Sequence, residues 1–127
     1  MIVGIGVDVI EVARILRAVD HPEWGERFRA RVYTAGEIAY CTDRRRYAES
    51  FAARFAAKEA TMKALGTGHT RGVLWRDIEV FRHGGPPQLR LTGGALRHFE
   101  AMRARRSLLT ITHAETLAMA QVLLLSE

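Results

Sequence analysis

Residues 47–65, YAESFAARFAAKEATMKAL, decide the fold. Strong helix formers fill this stretch for about five turns at 3.6 residues per turn, and Gly66 stands where a left-handed C-terminal residue belongs. Upstream, IVGIGVDVI at residues 2–10 is β-branched and partly alternating, which predicts a strand ending where Glu11 opens a helical period. Val12, Ile15, Leu16 and Val19 then recur at helical spacing, with Arg14 and Arg17 off that stripe. A turn at Asp20-His21-Pro22 leads into a second helical stretch over about residues 23–32, and Thr34-Ala35-Gly36-Glu37 is a capping box that starts a short helix ending near Thr42. Downstream of the loop GTGHTRG, DIEVFR and PQLRLT alternate on either side of HGGP and read as a hairpin. Residues 94–105 read as a helix with Leu96, Phe99 and Met102 on one side, followed by strands SLLTITH and LAMAQVLLL joined by a short turn near Ala114 and Glu115. This order predicts an α+β fold, a mainly antiparallel sheet packed with helices around one long central helix.

At 127 residues and 14.3 kDa, with no repeat, low-complexity tract or linker, residues 1–127 read as a single domain. Hydrophobic residues at 48% and charged residues at 26% exclude a disordered chain. No apolar run reaches a membrane span, and the apolar N-terminus lacks a cationic leader, so a cytoplasmic protein is expected. A lone Cys41 excludes a disulfide framework and reads as a helix filler.

The net charge of +5 calls for a polyanionic partner, whether nucleic acid, an acidic protein or a phosphorylated small molecule. Residues 1–43 carry 5 Arg against 7 acidic residues, and residues 44–76 carry 8 basic against 2 acidic, so the excess sits in the middle. Seventeen of the 19 cations are Arg, and the two lysines, Lys58 and Lys63, both fall in KEATMK. A compact ammonium among guanidinium forks suggests a place where a fork does not fit, although chance alone also puts two lysines close together.

Several residues carry chemistry. Asp8, at the end of an apolar strand, is expensive to bury without a cation, or else it caps the helix that follows. Gly4 and Gly6 permit close backbone approach, but GIG is no dinucleotide fingerprint. Glu59 lies among alanines that leave room for a ligand or another segment, with Lys63 one turn on. An ordinary helix-surface ion pair is the simpler alternative. Arg54 and Lys58 stand one turn apart, a like-charge pair that is unfavourable without an anion, unless both are simply solvated. His113, at a strand end beside Thr112, is either structural or catalytic. No histidine pair has zinc spacing, and neither a nucleophile elbow nor a Walker loop is present. The residues alone support two carboxylates able to hold a divalent metal near cations able to hold phosphates.

At these positions the sequence closely resembles holo-acyl-carrier-protein synthase, the small bacterial class of 4'-phosphopantetheinyl transferases. GIGVDVIEVARI matches the family's N-terminal motif and RFAAKEATMKALGTG its central one. DIEV with GPP and LRLTGGA resembles its hairpin, and ITHAETLAMAQV its histidine motif, with Thr112 where the family usually has serine. The resemblance runs from Met1 to about Val122 and implies the 4'-phosphopantetheinyl transferase fold. It implies transfer of the phosphopantetheine arm of coenzyme A to a serine of apo-acyl carrier protein, serving fatty acid biosynthesis and releasing adenosine 3',5'-bisphosphate. It further implies that Asp8 and Glu59 hold Mg²⁺, and that Lys63 neutralises the phosphates or protonates the leaving group. Arg54, Lys58, Lys63, Gly66, Thr67, Gly68, Pro87 and His113 would bind coenzyme A, with Arg45 or Arg46 at its 3'-phosphate. Glu59, a water on the metal and the carrier itself all stay open as acceptor of the serine proton. The acidic carrier would meet Arg14 and Arg17, and the assembly implied is a homotrimer with active sites between subunits.

Two rival readings use the same residues. A nucleic-acid-binding domain fits the arginines and Arg44-Arg45-Arg46 but leaves Asp8 and Glu59 unexplained, since phosphate backbones repel both. A metal-dependent phosphohydrolase would use both carboxylates, with water as acceptor.

Overall fold

The computed structural model describes residues Met1–Glu127. Strand β1 (Ile2–Glu11) passes directly into helix α1 (Val12–Val19), followed by α2 (Gly25–Val32), α3 (Ala35–Thr42) and the long α4 (Tyr47–Leu65). After a 3-10 turn at Trp75–Asp77 come β2 (Ile78–Phe81), β3 (Gln88–Leu91), α5 (Gly93–Ala101), β4 (Arg106–His113) and β5 (Leu117–Leu125). Both sheets are antiparallel: a three-stranded one in the order β1-β5-β4 and the β2-β3 hairpin. This is the α+β architecture expected from the sequence.

The local signals act where they were read. Thr34 and Glu37 form the reciprocal capping box at the start of α3, and Gly66 ends α4 at φ 76°. Two expectations need correction. Leu16 is exposed, because α1 buries only Val12, Ile15 and Val19 and its fourth apolar position points outward. The fifth helix ends at Ala101 rather than Arg105, since Arg103 turns left-handed at φ 64° and sends the chain into β4.

Helix α4 lies across one face of the larger sheet, and small residues set how closely. Ala52, Ala53, Ala56, Ala57 and Ala60 are all buried on the helix side. On the strand side, a Cβ placed on Gly6 would lie 1.9 Å from the Ala60 carbonyl oxygen, and one on Gly4 would lie 2.4 Å from that of Ala64. Only glycine tolerates such backbone-to-backbone approach. The glycines of the GIG run thus dock β1 on α4 and bring Asp8 alongside the helix.

The sheet's opposite face is uncovered. Ile5, Val7 and Val9 of β1 are exposed there, together with Leu108 of β4 and Leu117 and Met119 of β5. The register aligns Ile5 with Leu123 and Leu108, and Val9 with Met119, so the apolar surface is continuous across all three strands.

Candidate active site

Two groups of chemical residues sit at different ends of α4. The first gathers Asp8, Glu59 and Lys63. Asp8 faces the helix from β1, and the Lys63 ammonium donates to its Oδ1 at 3.1 Å and to the Val7 carbonyl at 3.0 Å. The Glu59–Lys63 helix pair, the simpler alternative, does not form; Lys63 pairs across to the strand instead. Burial first, and then the charge of Asp8, push the Glu59 carboxyl above its usual range, while His69, Lys63 and Arg14 pull it down. A carboxylate whose ionisation is opposed by burial and a neighbouring negative charge is the arrangement a divalent cation relieves. No third His, Cys, Asp or Glu joins Asp8 and Glu59. A cation held here would complete its shell with ligand and water oxygens, as Mg²⁺ commonly does.

The second group lines a cleft of about 350 Å³ near the N-terminal half of α4. Arg45, Arg46, Arg54, Pro87 and His113, drawn from four separate stretches of chain, meet there. Glu49 fixes the His113 ring through a 2.9 Å contact to Nδ1, and its other oxygen lies 3.6 Å from Arg46. Sequence reasoning missed Tyr40, Arg44 and Arg82, which also line the cleft. Arg44 opens the arginine run, but nothing in a one-dimensional pattern joins Tyr40 to Arg54. From Arg54 to Lys63 is nine residues, about 14 Å along the helix axis. The two groups are thus separated within one chain.

The Gly66-Thr67-Gly68 turn belongs to the carboxylate end. Gly66 and Gly68 are left-handed, at φ 76° and 58°, and Thr67 returns its amide to the Met62 carbonyl at 3.1 Å.

Lys58 does not join either group, contrary to expectation. It has no exposed surface, and its ammonium meets Glu37 Oε1 at 2.7 Å and the carbonyls of Ile78 and Trp75. Burial lowers its pKa and the Glu37 carboxylate opposes that shift. The anion that offsets the Arg54–Lys58 like-charge pairing is a protein carboxylate. Glu37 also accepts the Val80 amide at 2.8 Å, so this network ties α3, α4 and β2 together.

Arg14 and Arg17 line a third concavity, on α1, whose apolar floor is Trp24, Phe28 and Phe55. Phe55 lies one turn before Glu59 on α4, and Arg14 is close enough to act on the Glu59 charge. The groove therefore runs up to the carboxylate group.

Known proteins resemble this chain over nearly its whole length. The profile of the 4'-phosphopantetheinyl transferase superfamily matches residues 4–118. The chain is 46% identical to a holo-[acyl-carrier-protein] synthase of Koribacter versatilis and 49% identical to one of Solibacter usitatus, each match covering 98% of both chains. Among solved structures, holo-[acyl-carrier-protein] synthase from Neisseria meningitidis superposes with a TM-score of 0.87 at 30% identity, covering 98% of each chain. The Bacillus anthracis enzyme in complex with CoA (3',5'-ADP) gives 0.81 at 36% identity, covering 100% of this chain and 99% of the other. The chain belongs to the 4'-phosphopantetheinyl transferase superfamily.

Proposed function

We propose that this chain transfers the 4'-phosphopantetheine arm of coenzyme A to a serine of an apo-acyl carrier protein, in a Mg²⁺-dependent reaction serving fatty acid biosynthesis. The observation that carries this reading is the pairing, on one helix, of a carboxylate–lysine group with a cationic cleft able to hold a nucleotide. The serine hydroxyl oxygen attacks the phosphorus bearing the pantetheine arm, its proton is given up, and the bond to adenosine 3',5'-bisphosphate breaks. In such phosphoryl transfer, positioning and charge neutralisation do most of the work. Asp8 and Glu59 hold the cation, which supplies charge neutralisation at the pyrophosphate when bound. Lys63, anchored on Asp8 and the Val7 carbonyl, sets an ammonium beside the same phosphates, and Thr67 with its flanking glycines borders them. Arg45, Arg46, Arg54, Pro87 and His113 receive the nucleotide end.

The carrier docks over Arg14 and Arg17, where cations rim an apolar groove ending beside Glu59. An acidic helix laid there would associate quickly and in a salt-sensitive way. The homotrimer is supported by the uncovered apolar sheet face and by the distance between the two groups, which copies of the chain meeting through that face would bridge. No helix is long and apolar enough to cross a membrane, and the proposed setting is the cytoplasm.

The test mixes the protein with coenzyme A, Mg²⁺ and apo-carrier protein and weighs the carrier by mass spectrometry. A phosphopantetheine adduct lost in Asp8→Ala and Glu59→Ala is expected. Hydrolysis of coenzyme A without an adduct would support the phosphohydrolase, and an adduct unaffected by both substitutions would remove the site assignment.

A further inference from the structure

A second concavity borders the groove of Arg14 and Arg17. It holds about 350 Å³ between α2 and the segment after the Gly66–Gly68 turn, with Val73 and Trp75 as its floor, Leu74 at its lip, and Arg31 and Arg76 on its rim. Stacked rings join the two. Phe55, in the floor of the first, stacks on Trp75, in the floor of the second, at 5.0 Å between centroids, and Trp75 stacks in turn on His69 at 5.6 Å. Helix α2 joins them again, since Phe28 lines one and Arg31, a turn further on, lines the other. Glu59 is reached from both sides: Arg14 of the first concavity and His69 of the second both act on its charge. The chemistry of the two also matches. Arg14, Arg17, Arg31 and Arg76 are exposed, none is ion-paired, and no acidic side chain lines either concavity. Away from the uncovered sheet face and the first two residues, the large apolar side chains left exposed are Leu16, Trp24 and Leu74. Trp24 and Leu74 line these concavities, and Leu16 lies on α1 between the lining residues Ile15 and Arg17. An apolar floor rimmed by unpaired cations suits an acidic protein, whereas a nucleic acid would leave the floor unfilled.

We propose that the acidic carrier is held at two points, one on each side of its serine: an acidic helix over Arg14 and Arg17, and a second acidic, partly apolar segment over Leu74, Trp75 and the rim of Arg31 and Arg76. This rests on the carrier reading of the first groove. Bracketing the serine in this way seats its hydroxyl over Glu59. Carriers are thereby selected by acidic residues on both flanks of the serine, and a lone helix, spanning one groove, is a poorer substrate than the folded carrier.

The test measures steady-state transfer by wild type, by Arg31→Glu with Arg76→Glu, by Leu74→Ser, and by Arg103→Glu with Arg105→Glu. The last pair makes the same change of net charge at exposed positions elsewhere. Arg31→Glu with Arg76→Glu should raise KM for the carrier about tenfold, the order for reversing two rim contacts, with KM for coenzyme A held within about twofold. Leu74→Ser, at a side chain exposed enough to leave packing undisturbed, should raise it about threefold. The remote pair should leave it within about twofold, because salt screens charges that the carrier does not touch. An unchanged carrier KM in Arg31→Glu with Arg76→Glu, or an equal rise in the remote pair, would overturn the proposal. So would a rise confined to coenzyme A, which would give the concavity to the coenzyme's arm. Fluorescence anisotropy of labelled apo-carrier on the same proteins needs no turnover. A wild type that forms no adduct, yet binds the carrier more tightly than Arg31→Glu with Arg76→Glu does, would sink the transferase reading alone, whereas equal binding by the two would sink this one.

Discussion

Replacing Gly6 by alanine tests how the fold delivers Asp8 to its partner. The added Cβ would sit 1.9 Å from the Ala60 carbonyl oxygen and 2.8 Å from the Ala64 amide nitrogen, both backbone atoms of the central helix. No rotamer change relieves this contact, so β1 must retreat until the carbonyl stands beyond about 3.0 Å, a movement on the order of 1 Å. Overpacking of this kind costs about 3 kcal/mol, or roughly 10 °C in Tm for a domain of this size. Residues 6 and 8 share a strand face, so Asp8 retreats with the backbone and its 3.1 Å contact to Lys63 opens. A 1 Å misplacement of reacting groups is worth about 100-fold in rate. Thermal melts at fixed protein concentration, paired with kcat/KM for carrier modification, read both effects. Adding Ala60→Gly should rescue neither, because the clash is with the carbonyl and not with the alanine methyl. A Gly6→Ala protein melting within 2 °C of wild type, on the scale just given, and turning over within about twofold would refute the reasoning.

Lys58→Met should destabilise by about 3–5 kcal/mol in denaturant unfolding by leaving Glu37 buried and unpaired, and Lys58→Met with Glu37→Leu should recover part of the loss. Glu59→Gln should abolish transfer yet raise Tm at neutral pH, since Glu59 ionises against burial and the Asp8 charge. A raised carboxyl pKa means ionisation costs more in the folded state, so the variant's advantage is full above that pKa. It should shrink as pH falls towards the ordinary value of 4.5, which melts across an acid series would follow. Arg14→Glu with Arg17→Glu should raise KM for the carrier and flatten its salt dependence while KM for coenzyme A holds. Met119→Lys, exposed at 44% within one chain, should leave the protomer folded but dissociate the proposed homotrimer in sedimentation and remove transfer.

What could be read from the sequence was mostly local. The Thr34–Glu37 box, the left-handed Gly66 and the α4 helix depend on neighbours within a few residues, and each stands where it was placed. Glycines in a strand signalled close approach, though not that the surface approached was α4. Lys58 was misread because its partner, Glu37, lies more than twenty residues upstream, and helical spacing says nothing about which face of α4 meets α3. Tyr40 escaped notice for the same reason: an intermediate tyrosine on a short helix carries no pattern until Arg54 is folded against it. The Asp8–Lys63 contact joins residues 55 positions apart, and only motif resemblance linked them beforehand.

The central helix also acts as a ruler. Each residue along it adds 1.5 Å and turns the next side chain by about 100°. One residue inserted between Arg54 and Glu59 would therefore leave either Arg54 off the Tyr40 ring or Glu59 swung away from Asp8, whatever residue was chosen. Loops carry no such helical phase, so a change of length away from the cleft residues Arg82 and Pro87 shifts neither end. Natural and engineered variation in chain length should collect in those loops and leave residues 54–63 the same length, even where most of their identities change.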